Sequence, residues 1–288
     1  MRYGLHALLH QAHRAENLLS LVMNWRKLTI VIRTIILFLL SCCTAVALAE
    51  KTAPLSREQL AEISARGRML AEYDEAAGYA TDAVMASHPK QDNDTRFVCR
   101  KTDAAWTCVF GHLTADKLLI DYEAVQGASA KEFQVKHHEP PMEDAGFFFA
   151  AVKAMMTAGN DFQKTAEKRP YNPTVLPAAS GQFYVYMVPA QTKKGIYPLG
   201  GDARYLVSTD GNTIVEKRQL HKSILETNQQ LPAGTKFAGG VHTHVITDTP
   251  EDTDVFYVLT RRPLTPESVG AGKHVYFIET DGTIKVSK

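Results

Sequence analysis

Two histidines separated by one threonine, His242 and His244, open the stretch with the most chemical content in this chain, GGVHTHVITDTPEDTDVF over residues 239–256. Alternate side chains of a strand share a face, so both imidazoles point the same way and can ligate one cation. Asp254 follows in what reads as the opening turns of a helix, from which it can swing back as a third ligand. Two histidines and one carboxylate leave a coordination position for water, the pattern of a catalytic zinc site. Zinc in such a site lowers the pKa of that water and polarises a carbonyl. The ordinary alternative is a pair of polar-face strand residues bonded to their neighbours.

The elements that must hold these residues follow from local patterns. KFAGGVHTHVI reads as a strand. After it, Thr249 suits an N-cap, Pro250 the first helical position, and Glu251 and Asp252 the first turn. Val255, Phe256 and Leu259 share a helical face, and Pro263 stops the helix after Arg261 and Arg262. Upstream, ARYLVSTDGNTIVEKRQL reads as two strands joined at Thr-Asp-Gly-Asn, and KHVYFIETDGTIKV as a hairpin around Asp281-Gly282. QFYVYMVPA alternates as a strand, and YPLGG reads as a turn.

The N-terminal half has a different texture. SREQLAEISARGRMLAEYDEAAGYATDAVMAS is helical, with Ser56 and Gln59 forming a capping box and Leu60, Ile63, Leu70, Ala77 and Val84 near one face. RFVCRKTDAAWTCVF reads as strand, turn and strand, with Cys99 opposite Cys108 across Asp103-Ala104. DKLLIDYEAVQG is a further strand, and FQVKHHEPPMED a strand that runs into a loop. AGFFFAAVKAMMTAGNDFQKTAEK is a second helix, capped by Asp144 and ended before Pro170. RPYNPTVLPAASG, residues 169–181, carries three prolines and reads as a linker.

The first 49 residues read as an export signal: Arg26, Lys27 and Arg33, an apolar run, then Ala47-Leu48-Ala49 before Glu50, with Met23 the better start. LLSC at 39–42 also fits a lipoprotein box that would lipidate Cys42, and a retained anchor is the third reading. Cleavage after Ala49 leaves Cys99 and Cys108, an even pair suited to a disulfide in an oxidising compartment. The location that follows is periplasmic or secreted. The 288 residues carry a net charge of +1, 45% hydrophobic and 22% charged, which excludes the basic footprint of a nucleic-acid binder. Contact with a membrane is expected only through the leader segment.

The His-x-His pair, Pro250-Glu251 and Asp254, set between a strand and a helix, resemble the JAMM/MPN metalloprotease motif. The preceding GIYPLGGDARYLVSTDGNTIVEKRQL is similar to that family's strand pair, and the resemblance covers about residues 181–288. It implies zinc on His242, His244 and Asp254, hydrolysis of a peptide, isopeptide or other amide bond, and Glu251 contacting water or intermediate. The chain departs from the pattern in several places. His244 and Asp254 stand one residue closer than usual, Val245 replaces a common Pro, and Glu251 replaces Ser. QTKKGIYPLGG lacks the upstream general-base Glu, leaving Glu216 and Glu226 as the nearest acids. The expected fold is α+β: a helix-plus-hairpin module over 50–168, the 169–181 linker, and a mixed-sheet JAMM-like module over 182–288. The rival function is a non-catalytic scaffold that binds a peptide or protein partner. His221 reads as a surface residue before a fourth ligand, and His137-His138-Glu139 as a solvated loop.

Overall fold

Ser56 begins the first helix as expected. Its Oγ accepts from the Gln59 N–H at 3.3 Å while Gln59 Oε1 accepts from the Ser56 N–H at 2.9 Å, so two orphan donors are satisfied reciprocally. This is α1, Arg57–Ala86, in a computed structural model that describes residues 53–287 apart from 90, 91, 104, 229–233, 235 and 236. The export signal expected over residues 1–49, Cys42 included, lies outside the described residues. Among the described residues the chain forms three α-helices and fourteen strands, an α+β fold.

Four strands follow α1 as an antiparallel meander: β1 (Arg96–Thr102), β2 (Ala105–Leu113), β3 (Leu118–Gln126) and β4 (Phe133–Asp144). Cys99 pairs with Cys108 in the β1–β2 register, and the two form a disulfide. The β4 segment was expected to run out into a loop but is strand throughout, so His137 and His138 are strand residues. His137 stacks on Tyr122 at 4.7 Å, and His138 Nε2 lies 3.4 Å from Glu123.

The second helix, α2 (Phe147–Phe162), is shorter than expected and has Gly146 as N-cap; Asp144 Oδ2 accepts from the Phe149 N–H at 2.8 Å. Its apolar face lies between the meander and a second antiparallel sheet of order β5-β6-β8-β9: β5 (Tyr171–Pro177), β6 (Phe183–Pro189), β8 (Ala203–Val207) and β9 (Ile214–Gln219). Val98, Val109, Leu118 and Ile120 meet Ala151, Met155 and Phe162, and then Val185, Tyr205 and Val207, in one core. The 169–181 stretch is therefore not a linker. It carries β5, and Leu55–Lys288 form one compact unit.

YPLGG is likewise more than a turn. β7 (Ile196–Gly200) pairs with β10 (Ile224–Asn228), and only Gly200 and Gly201, with φ of 90° and 64°, make the turn. The last sheet has order β11-β12-β13-β14: β11 (Gly240–Thr243), β12 (Glu267–Ala271), β13 (His274–Ile278) and β14 (Ile284–Val286). β11 and β12 run parallel, joined through α3 (Asp252–Thr260); the other pairings are antiparallel, so this sheet is mixed.

Helix α1 spans both ends of the unit. Leu70, Tyr73, Ala76, Ala80 and Val84 pack with the Cys hairpin, Tyr186 and Leu220. Leu60 and Ile63 pack with Val255 and Val258 of α3 and with Val269, Tyr276 and Ile278. Where α1 crosses α3, a Cβ on Gly67 would lie 2.4 Å from Val255 Cβ and 2.6 Å from the Asp252 carbonyl oxygen. Only glycine permits that approach. Beside it, Asp252 is buried and accepts from Arg66 Nε at 2.9 Å, Tyr186 Oη at 2.7 Å and Arg204 Nη1 at 2.8 Å. One carboxylate thus ties α1, β6 and β8 to the start of α3.

Candidate metal centre

His242 lies in β11 and His244 just past its end, where the His244 N–H still donates to Gly270 O at 2.8 Å. Strand alternation puts both rings on the inner face of the last sheet. Gly240 is needed here, because an added Cβ would sit 2.0 Å from Glu267 Oε2. That clearance lets Glu267, opposite Gly240 on β12, reach His242 Nδ1 at 2.9 Å. Glu267 is itself held by the fully buried Arg261, whose Nη1 donates at 2.6 Å.

The helix that carries Asp254 starts two residues later than its sequence suggests. Glu251 is the N-cap, and its N–H donates to Asp254 Oδ2 at 2.7 Å. Thr249, expected as the cap, instead turns its carbonyl to His244 Nδ1 at 2.8 Å, and Thr247 Oγ1 lies equally close. A carbonyl oxygen only accepts, so Nδ1 of His244 carries the proton.

His221 completes the group, and it is not a surface residue. Its side chain is 8% exposed, and Nδ1 lies 2.8 Å from Asp202 Oδ1. Asp202 also accepts from the His221 N–H at 3.1 Å, fixing backbone and ring together. Carboxylates on His221 and His242 and a carbonyl on His244 thus hold every Nδ1. All three Nε2 atoms turn inward toward Asp254. This arrangement, a metal-facing nitrogen oriented by an acceptor on the other nitrogen, is the usual outer shell of histidine metal sites.

The inward distances are short. Nε2 of His244 is 2.9 Å from that of His221 and 3.3 Å from that of His242. Asp254 Oδ1 is 3.0 Å from Nε2 of His221 and of His242, and Oδ2 is 3.2 Å from Nε2 of His244. All four donors lie within 4.8 Å of one another and could hold a metal ion. Four ligands about 2.0–2.1 Å from a tetrahedral centre are separated by about 3.3 Å, so the donor set has the right span.

Without an ion, protons must hold the cluster together. Burial pulls the His221 imidazole down, but Asp202 and Asp254 outweigh it and raise it to about 11. Burial also opposes protonation of His242, yet Asp254 and Glu267 raise it to about 9. Burial pushes Asp254 up, while the charge of His221 and hydrogen bonds from the three rings take it well below the usual carboxylate range. Glu251, buried beside the group and bonded by Arg218 Nη2 at 2.7 Å, is raised to about 8 by burial, with Arg218 opposing.

The sequence-predicted residues divide accordingly. His242, His244 and Asp254 converge, with Glu251 adjacent but outside the four-donor group. Glu216, on an exposed position of β9, is absent from it. Glu226 sits on β10, half exposed and paired with Arg169 at 3.3 Å. His221, Asp202 and Glu267 are the residues that sequence reasoning missed or undervalued. Comparison of the chain with protein-family models, curated proteins and solved structures gave no match.

Proposed function

We propose that this protein binds one zinc ion through His221, His242, His244 and Asp254, and that the ion secures a JAMM-like scaffold for a peptide or protein partner. The observation that carries this reading is His221 Nε2, 2.9 Å from His244 Nε2 and 3.0 Å from Asp254. A hydrolase requires a coordination position open to water. Here a fourth protein donor stands with the other three, and the four side chains are between 0% and 8% exposed. Nitrogen and oxygen donors in a tetrahedral span suit zinc. The Cys99–Cys108 disulfide supports an exported location, periplasmic or secreted.

One observation favours a second reading, a zinc-dependent hydrolase of peptide, isopeptide or other amide bonds. Glu251 is a buried carboxylate beside the donors, raised to about 8, where a general base works best near neutral pH. Zinc would supply Lewis-acid polarisation of the scissile carbonyl, Glu251 would hold the proton, and Arg218 would position Glu251. This reading needs His221 to yield its place.

His221→Ala separates the two. If the ion is held by four residues, this variant loses most zinc affinity and gains no activity toward amide substrates. Full retention of zinc together with cleavage of a peptide library, abolished in Glu251→Gln, would replace the scaffold with the hydrolase.

A further inference from the structure

Away from the metal centre, a cavity of about 570 Å³ opens between α2, the turn after it, β5 and β6. That volume lies within the range of small-molecule sites, about 300–1,000 Å³. Its floor is apolar: Met155, Phe162 and Met187 are buried core residues, and Met156 and Tyr171 extend the same surface. Methionine is unbranched and polarisable, so such a floor adapts to a flexible aliphatic chain.

The rim has the opposite chemistry. Arg96, Lys168 and Arg169 line the cavity against a single acid, Glu167. Arg169 is held rigidly, with Nη2 donating to Ala190 O at 3.2 Å and Nη1 to Glu226 at 3.3 Å. Its Nε is buried and has no hydrogen-bond partner among the described residues. The side chain is 16% exposed, and with one bond from each Nη the guanidinium keeps further Nη hydrogens and its charge for an anion.

We propose that this cavity binds an amphiphile made of one aliphatic chain with an anionic head, the chain on the methionine floor and the head at Arg169 and its cationic neighbours. Carboxylate and phosphate heads share the chemistry the rim recognises. The site is separate from the metal donors and does not depend on zinc.

Calorimetric titration of the purified protein with four probes tests it: decanoate, decyl phosphate, decanol and decyltrimethylammonium. Both anions are expected to bind about tenfold or more tighter than the alcohol or the cation, because charge-assisted hydrogen bonds exceed neutral ones. The tighter anion names the head group. Hexanoate is expected to bind on the order of a hundredfold more weakly than decanoate, since four methylenes leave the floor. Gly159 also lines the cavity, and a Cβ built there meets no atom within 4 Å. Gly159→Leu should therefore fold normally, with an unlowered melting temperature, and abolish binding by occupying the space. Lys168→Glu should weaken the anions about threefold and leave decanol unchanged. Equal binding of decanol and decanoate, no binding of either anion, or undiminished binding by folded Gly159→Leu would each overturn the proposal.

Discussion

At the scale of single residues, the committed Nδ1 atoms decide the chemistry of the cluster. Asp202, Glu267 and the Thr249 carbonyl each take one Nδ1–H, so the three Nε2 atoms that face Asp254 are left to carry protons without an ion and to ligate with one. Purified protein is accordingly expected to hold one zinc per chain by elemental analysis. His244→Ala deletes a ligand and should remove the ion; Asp254→Asn should weaken it, because the amide oxygen carries no charge. Glu251→Ala should retain it. Asp202→Asn and Glu267→Gln leave every ligand in place yet should cost about 10–100-fold in affinity. Unchanged affinity in both would reduce these two carboxylates to ordinary hydrogen-bond acceptors. The pH dependence has a definite sign. In metal-free protein, His221 and His242 titrate near 11 and 9, above their ordinary value of 6.5. Their contribution to stability is complete below pH 6.5 and is lost as pH rises through those values; that of Asp254, depressed, is lost only on acidification. Zinc instead displaces protons and binds better as pH rises. The melting-temperature difference between zinc-loaded and chelated protein should therefore widen from pH 6.5 to pH 9, and a narrowing difference would count against the shared site. The His pair and Asp254 were legible because strand alternation and a helix start act over a few residues. His221 was not, because it reaches the site only through the backbone clip to Asp202, nineteen positions upstream.

At the scale of elements, the hairpins were legible and the proline-bearing strands were not. Asp103, the Asp210-Gly211 region and Asp281-Gly282 each lie in a turn between the strands their residues announce. β4, β5 and β7 have the local look of loop, linker or turn because each carries proline: Pro140 and Pro141, Pro173 and Pro177, and Pro198. All three lie at sheet edges or in a two-stranded ribbon, where proline is tolerated, and Pro140 and Pro141 fall in the β4 bulge that has no ladder partner on β3. Edge position is set by the whole topology, so no local window reveals it. The α1–α3 crossing gives this scale its own prediction. Gly67→Ala gains about 1 kcal/mol of helix propensity. It also drives a methyl into the Asp252 carbonyl and Val255, and backbone cannot yield as a side-chain tip can. Overpacking of this kind costs about 1–3 kcal/mol, so net destabilisation is expected by denaturant titration. Because α3 carries Asp254, zinc affinity should fall in the same variant. A stabilised Gly67→Ala with normal zinc binding would show that the helices can part freely.

At the scale of the whole molecule, the metal centre and the disulfide secure opposite ends of α1. Cys99 and Cys108 are buried in the core that packs on the C-terminal half of the helix, while the donors sit with the sheet on its N-terminal half. Helix α1 packs into both cores and so serves as an internal strut; among the described residues, no helix is long and apolar enough to cross a membrane. Replacing both cysteines should cost about 2–3 kcal/mol, the loop-entropy value for so short a closure. The strut also makes a claim about cooperativity. Trp106 is buried in the hairpin core, edge-on to Tyr73 of α1 at 5.6 Å. Its fluorescence reports the end of the unit that holds no metal donor. If α1 couples the two cores, adding zinc should raise the unfolding midpoint seen by Trp106, in a chain carrying Trp25→Phe, by as much as that seen by far-ultraviolet circular dichroism. Coincident transitions are the mark of a single cooperative unit. A Trp106 transition that stays in place while the dichroism transition moves would mean that the Cys hairpin unfolds apart from the metal-binding end.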